Sequence, residues 1–228
     1  MKKMLLWILA VLFVVSCTLA GAEAFVGYRV SVSNSPYAVT VLWPEGEEEP
    51  VHAQLFTDVY FETYPKMREV FGTTDTMEVT VYFQHDSENI AYASEQCIYV
   101  SMEYMDAHPA DFNLLVHELF HVVQNGYVGD DPIIPALTEG MANYARAHYA
   151  SRQDETWFLS TWQEGQSYMD SYAVTGGFLH WIAQRYGESV LIRLNRTLHE
   201  GWYTADVWQN YTGHTVDELW AEYAQSGR

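Results

Sequence analysis

Residues 112–127 read FNLLVHELFHVVQNGY, an apolar segment with the character of a buried helix. Within it lie three polar side chains, His117, Glu118 and His121, at positions where leucines would be cheaper to bury. A buried polar group is costly unless a partner compensates it, so three of them within five residues require either a partner or another explanation. The segment predicts a helix that begins near Pro109, ends at Asn125 and Gly126, and carries a site.

The three polar residues have the spacing H-E-x-x-H. On a helix, residues i and i+4 lie on one face, so the imidazoles of His117 and His121 can reach one ion. Glu118 lies about 100° around the helix, beside the ion rather than on it. That is the position of a general base that takes a proton from a water activated by Zn²⁺.

A catalytic zinc needs a third protein ligand, and the sequence offers one candidate. A histidine six residues after His121 is excluded, because that position holds Tyr127. Glu139 follows after a short loop, and the adjacent Gly140 removes bulk beside an ion. The alternative is that Glu139 is an ordinary acid in the first turn of a helix capped by Thr138.

Asn143 lies one turn after Glu139 and is the candidate for an outer-shell role. Its amide oxygen can accept a hydrogen bond from a ligand histidine and so fix the tautomer. The alternative is a polar residue on the helix surface.

Composition limits the class of protein. A chain of 228 residues with 49% hydrophobic content fits a single domain with a real core. The formal net charge of −19 disfavours nucleic acid and anionic membrane surfaces as partners. The oligomeric state is not predicted.

The first residues predict export. Lys2 and Lys3 precede an apolar run, residues 4–15, that is too short for a membrane span and typical of a signal peptide. Residues 1–24 are therefore interpreted as a signal peptide and residues 25–228 as one domain at the cell envelope or outside the cell. Alternatively, residues 14–17 resemble a lipobox, with cleavage before a lipidated Cys17 as the only membrane link. In either case Cys97 has no cysteine partner in the mature chain and is expected to be a packed thiol.

Strand patterns dominate the first half of the chain and helix patterns the second, which predicts an α+β fold. Alternating apolar residues predict strands at 28–32, 38–43, 77–83 and 97–102. Helical spacing predicts helices at 51–70, 137–152, 172–186 and 189–199, and a last helix opened by a capping box of Thr215 and Glu218. The strand at 97–102 is a candidate sheet edge for an extended peptide, and the alternative is an interior strand.

The chain resembles the basic secretory protein family of plants and bacteria, a group of zincin-class metallopeptidases. The resemblance extends over about residues 28–223 and is carried by six blocks: 91–94, 98–101, 114–124, 139–146, 172–175 and 215–220. It implies a zincin-like fold, with a small N-terminal mixed sheet, an active-site helix and a mainly helical C-terminal part.

The resemblance also implies roles for individual residues. His117, His121 and Glu139 would bind Zn²⁺ and Glu118 would be the general base for hydrolysis of a peptide or protein substrate. A tyrosine or histidine from a later segment would stabilise the oxyanion; Tyr172 is selected over Tyr168 and His180 because it lies in a shared block. The family commonly has aspartate at the position of Asn143, and an amide makes a ligand histidine less basic.

Two alternatives belong to other classes. The protein could be a catalytically weak or inactive zincin-like binding module of the cell envelope, for which Asn143 is the one hint. The site could also be metal-free and structural, with His117 and His121 hydrogen-bonded inside the core.

Overall fold

The computed structural model describes residues 27–150 and 158–226, in two compact units. The first unit comprises residues 27–65 and 75–122, and the second comprises 66–74, 123–150 and 158–226. None of the helices in these described ranges is long and apolar enough to span a membrane. The predicted signal peptide, residues 1–24, lies outside the described residues, and the prediction of one domain stays a prediction.

The first unit contains a mixed sheet of five strands, counted over the described residues. The strands run in the order β1-β2-β3-β5-β4 across the sheet. The pairs β1–β2 and β4–β5 are antiparallel, whereas β2–β3 and β3–β5 are parallel. The bounds are Gly27–Asn34, Tyr37–Pro44, Glu78–Gln84, Ala91–Ser94 and Cys97–Ser101 for β1 to β5. The predicted strands are confirmed.

The position of β5 corrects the predicted sheet edge. Strand β5 lies between β3 and β4, so it is an interior strand, and the two edge strands among the described residues are β1 and β4. The chain reverses at Glu95, whose positive φ of 53° makes the tight turn that returns the chain alongside β4. The sequence pattern cannot reveal this, because both strands are short and partly apolar.

Successive side chains along the strands point to opposite faces of the sheet. In β3, Val79, Val81 and Phe83 are buried as predicted. The opposite face carries Tyr82, Tyr99 and Tyr92, which lie side by side on three neighbouring strands with ring centroids 5.0 and 4.8 Å apart. These aromatic cross-strand contacts fix the register of β3, β5 and β4.

Cys97 opens β5 and is buried. The structure describes it as disulfide-bonded. The prediction of a packed thiol applies to a mature chain that lacks Cys17, and it stays a prediction.

Two helices begin in the first unit and end in the second. Helix α1, His52–Phe71, confirms the predicted helix at 51–70, and α3, Leu114–Gln124, is the helix of the opening segment. Helix α2, Met102–Ala107, was not predicted. The Ser101 hydroxyl begins it by accepting a hydrogen bond from the Tyr104 N–H at 3.1 Å.

The second unit is helical in its described part, as predicted. It contains α4 to α8 with the bounds Ile133–Tyr149, Tyr172–Tyr186, Ser189–His199, Asp206–Thr212 and Val216–Ser226. The capping box is confirmed, since the Thr215 N–H donates to the Glu218 carboxylate at 2.8 Å and the Glu218 N–H donates to the Thr215 hydroxyl at 3.3 Å. Helix α7 was missed, because seven residues are too few for a clear helical period.

Helix α4 begins four residues earlier than predicted. Pro132 is its N-cap and Pro135 lies in its first turn, where the missing N–H of a proline leaves no bond unmade. The predicted start at residue 137 had placed both prolines before the helix. The helix ends at Tyr149, and the predicted end near Arg152 falls outside the described residues.

Candidate metal centre

Helix α3 presents the H-E-x-x-H residues from an otherwise apolar surface. Its residues Leu115, Val116, Leu119, Phe120 and Val123 are each 0% exposed. His117 and His121 are half-buried on one face of the helix. The apolar residues fix the helix in place, so the two imidazoles have little freedom to move together or apart.

The start of α3 differs from the prediction, whereas its end agrees. The helix begins at Leu114, not near Pro109. The residues between Pro109 and Leu114 form tight turns, in which the Asp111 N–H donates to the His108 carbonyl at 3.0 Å. Helix α2 ends just before Pro109, because the residue before a proline avoids helical angles. At the other end, Asn125 and Gly126 have φ values of 55° and 77°, which terminate the helix as predicted.

The two histidines of α3 approach each other through their Nε2 atoms. His117 Nε2 and His121 Nε2 lie 3.1 Å apart. Two nitrogens bound to one tetrahedral zinc at 2.0–2.1 Å are about 3.3 Å apart. The distance therefore suits a shared ion, and it also suits a hydrogen bond between two neutral rings.

Glu139 lies in the second turn of α4, because this helix begins at Ile133. The alternative role as a first-turn acid is therefore wrong. Thr138 does not cap the helix either, since its hydroxyl donates to the Ile134 carbonyl at 2.9 Å. The Gln124 side-chain amide donates to the Thr138 carbonyl at 3.0 Å, so the last residue of α3 is bonded to the residue before Glu139.

His117, His121 and Glu139 form one group. Each offers one ligand atom, and the three atoms all lie within 4.8 Å of one another. Two imidazole nitrogens and one carboxylate oxygen are a donor set of catalytic zinc sites, which keep a fourth position open. The residues present therefore fit a zinc ion, and a hydrogen-bonded histidine pair alone does not require the third group.

Glu118 and Asn143 are close in sequence to these three residues, and both are buried. Glu118 is 7% exposed and Asn143 is 6% exposed. In the part of the chain that the structure describes, the Glu118 carboxylate has no hydrogen-bond or ion-pair partner. A buried carboxylate without a protein partner is costly, so its retention favours a functional explanation. The roles of both residues stay predictions.

Gly140, next to Glu139, allows α4 and α5 to pack closely. A Cβ atom on Gly140 would lie 2.6 Å from the Thr175 Cγ2 atom and 2.8 Å from its Cβ atom. On the same pair of helices, a Cβ atom on Gly176 would lie 2.8 Å from the Asn143 Cβ atom. The missing side chain of Gly140 therefore makes room for Thr175. The prediction that Gly140 leaves space beside an ion did not include Thr175, although two small residues in facing helices are a signal of close packing.

We expect Gly140→Ala to destabilise the protein by about 1–3 kcal/mol, as overpacking does. Helix propensity alone predicts the opposite sign, a gain of up to about 1 kcal/mol. The measurement is urea unfolding of the parent, Gly140→Ala, Thr175→Ser and the double variant. The alanine should cost less in the Thr175→Ser background, which lacks the Cγ2 atom but keeps the hydroxyl. An unchanged or increased stability of Gly140→Ala would contradict the close contact.

The three candidates for oxyanion stabilisation differ in their partners. Tyr172 is the first residue of α5 and is 55% exposed. The Tyr168 hydroxyl donates to the Asp217 carboxylate at 3.2 Å, and burial, followed by the charge of Asp217, raises its pKa to about 12. His180 Nε2 lies 2.8 Å from the side-chain nitrogen of Gln184, and burial lowers the pKa of this histidine.

The mixed sheet and helices are those of a zincin-like α+β peptidase fold. Residues 36–223 match the family described as "BSP: Peptidase of plants and bacteria", and the chain belongs to this family. The predicted resemblance is thereby confirmed. No curated protein matches the chain.

Three solved structures illustrate the similarity in fold. The Legionella pneumophila aminopeptidase A in complex with aspartic acid is 13% identical with a TM-score of 0.58, over 82% of this chain and 26% of that one. An aminopeptidase N family protein from Idiomarina loihiensis is 10% identical with a TM-score of 0.55, over 86% of this chain and 46% of that one. A mutant M1 zinc metallopeptidase from Deinococcus radiodurans, bound to a Tyr-Ser-Ala substrate, is 14% identical with a TM-score of 0.50, over 84% and 49%. This chain thus spans a quarter to a half of the length of these proteins.

Proposed function

We propose that the protein is an exported zinc-dependent metallopeptidase that hydrolyses peptide bonds. The observation that carries the proposal is the convergence of the ligand atoms of His117, His121 and Glu139 within 4.8 Å. Membership of a peptidase family supports the reaction. The fold of the M1 zinc metallopeptidases supports the metal.

In this proposal His117, His121 and Glu139 hold the zinc. When bound, zinc polarises a carbonyl oxygen and lowers the pKa of water toward neutrality. Glu118 is the general base that accepts a proton from the attacking water and later delivers it to the leaving amine. Its burial and the lack of a protein partner in the described ranges leave its carboxylate available for this proton.

Tyr172 is the proposed oxyanion donor. Tyr168 and His180 each have a polar neighbour, Asp217 and Gln184 respectively. For the Tyr172 hydroxyl, no hydrogen-bond partner occurs within residues 27–150 and 158–226. A donor that acts on developing charge must be available in the free enzyme. The Nδ1 atom of His180 also has no hydrogen-bond partner among the described residues but is buried, whereas Tyr172 is exposed, and this favours Tyr172. A Tyr172→Phe variant with unchanged kcat would remove this role.

The proposed substrate is a peptide or a protein segment in extended form. Strand β4, which follows β5 in the sheet, is one of the two edge strands in the described residues, and an edge strand can pair with an added strand. The Deinococcus radiodurans structure, bound to a Tyr-Ser-Ala substrate, favours the same class of substrate. Nucleic acid is not proposed as a partner, because the net charge is −19.

Export by a signal peptide at residues 1–24 is part of the proposal. The mass of the protein isolated from its host distinguishes the routes. A chain that begins near residue 25 supports secretion, and a chain that begins at Cys17 with an added lipid supports a lipoprotein. An unprocessed N-terminus would contradict export.

A zincin-like binding module without turnover is the second candidate function. One residue favours it: Asn143 stands where the family resemblance predicts an aspartate. An amide in place of a carboxylate makes a hydrogen-bonded histidine less basic and weakens its bond to a metal. Such a module would bind peptides and zinc but would not hydrolyse them.

The test is hydrolysis of a mixture of unrelated peptides by the purified chain, followed by mass spectrometry. We expect cleavage that a chelator abolishes and that added zinc restores. No cleavage by a folded chain that contains zinc would favour the binding module. Cleavage that survives complete removal of the metal would exclude the zinc mechanism.

A further inference from the structure

The first unit contains a cavity, of about 360 Å³, that the proposed mechanism does not use. We call it the acidic cavity, because Glu47, Glu48, Glu49 and Asp106 line it. These carboxylates are exposed at its rim. No lysine or arginine is among the described residues that line it.

The floor of the acidic cavity is apolar. Phe83 and Met105 line it and are 0% and 1% exposed, and Met102 is half-buried beside them. Phe56 supports the floor, with its ring centroid 5.2 Å from that of Phe83. An apolar floor below a charged rim suits a ligand with an aliphatic part and a cationic end.

His52 supplies an independent polar group to the acidic cavity. It lines the cavity and is only 4% exposed. Its Nε2 atom lies 3.0 Å from the Pro109 carbonyl oxygen, which can only accept a hydrogen bond. Nε2 therefore carries a proton, and in the neutral ring Nδ1 is an acceptor. Across the described ranges, Nδ1 has no hydrogen-bond partner.

Helix stabilisation does not explain all four carboxylates. Glu48 and Glu49 precede α1 and interact favourably with the positive end of its dipole. Asp106 lies at the opposite kind of position, in the last turn of α2, where an acid is unfavourable. The N-terminus of α1 would by itself attract an anion, but four carboxylates around one small cavity make a cation the better ligand.

One side of the rim is held in place by a histidine. His85 Nε2 lies 3.3 Å from the Glu47 carboxylate, and His85 Nδ1 lies 2.8 Å from the Glu103 carboxylate. The bond to Glu103, followed by the bond to Glu47, raises the pKa of His85. The acidic loop is thereby linked to the first turn of α2 and is not a free surface tract.

We propose that the acidic cavity binds the side chain of a lysine or arginine presented by a polypeptide. The alkyl stem of the side chain lies against Phe83, Met102 and Met105, and its cationic end contacts the rim carboxylates. His52 Nδ1 accepts a further hydrogen bond from the ammonium or guanidinium group. The cavity volume is near the lower end for small-molecule sites, which suits one side chain. The net charge of −19 favours approach of basic polypeptides.

The test compares two blocked tripeptides, acetyl-Gly-Lys-Gly-amide and the same peptide with norleucine, which keeps the alkyl stem without the charge. Binding is followed by amide chemical shifts of the purified chain, with a chelator present so that hydrolysis plays no part. We expect the lysine peptide to shift the signals of residues 47–52 and 102–106, and the norleucine peptide to leave them unchanged. The proposal is thus tested separately from peptidase activity.

The variant for this test is Glu49→Gln with Asp106→Asn, which removes two rim charges without altering the shape of the side chains. We expect it to weaken binding of the lysine peptide about tenfold or more. The control is Glu164→Gln with Asp130→Asn, which makes the same change in net charge at exposed positions away from the cavity lining.

An equal loss of affinity in both double variants would show attraction by net charge only and would overturn the proposal. So would equal binding of the lysine and norleucine peptides. Shifts produced by butylammonium but not by the lysine peptide would assign the cavity to a free amine and would also overturn it.

Discussion

Glu118→Gln is expected to retain zinc and to lose peptide hydrolysis by a factor of about 10²–10⁴, the usual contribution of general acid–base catalysis. Glutamine has nearly the shape of glutamate, but its amide cannot accept the proton of the attacking water. Because Glu118 is only 7% exposed, bulk water is poorly placed to substitute for it. The measurement is kcat/KM on a cleaved peptide, together with zinc per chain.

The matched control for this variant is Glu164→Gln, which has the same chemistry at an exposed position. It should have the activity of the parent protein. The stability of Glu118→Gln should equal or exceed that of the parent, since the variant removes a buried carboxylate that has no protein partner in the described ranges. Activity within a few-fold of the parent would show that another group acts as base.

Much of the candidate site was predictable because it is local in sequence. The i, i+4 spacing of His117 and His121 determines that both rings lie on one face of α3, whatever the rest of the chain does. The end of α3 was equally predictable, since Asn125 and Gly126 are residues that adopt positive φ. The pairing of Glu139 with the histidines came from chemistry, because a zinc site with two histidines needs another ligand.

The predictions that were wrong concern the ends of helices or contacts between residues that are distant in sequence. The start of α3 was misplaced because Pro109 favours a helix start, yet a short helix, α2, already ends beside it. The order of β5 and β4 depends on a four-residue strand returning at Glu95, which leaves almost no periodic signal. The role of Gly140 depends on Thr175, which is 35 residues away and faces it across two helices.

The acidic cavity could not be predicted from the sequence either, because its residues are distant from one another along the chain. The run of glutamates at 47–49 reads as a solvated loop in the sequence. Only the fold brings it to Asp106, more than 50 residues later, above a buried floor of Phe83 and Met105. A run of charged residues in a sequence indicates a solvated segment. The same residues around a cavity with an apolar floor indicate a ligand site.

Glu139→Ala is expected to weaken zinc binding at least about 100-fold, beyond the 10–100-fold cost of losing an outer-shell partner of a metal ligand. The carboxylate is the one anionic member of the group, so its loss removes both a ligand and the charge that offsets the cation. In the parent, excess zinc should raise the unfolding temperature, because a ligand that binds the folded state stabilises it. In Glu139→Ala the same zinc concentration should give little or no shift.

The control for this prediction is Glu164→Ala, which should bind zinc as the parent does. A second variant, His121→Ala, separates the two explanations of the 3.1 Å contact between the histidine rings. If the contact is only a hydrogen bond, zinc leaves the unfolding temperature of the parent and of both variants unchanged. If the group is a metal centre, both variants lose the zinc-dependent rise in unfolding temperature, because a coordination sphere fails when any one of three protein ligands is removed.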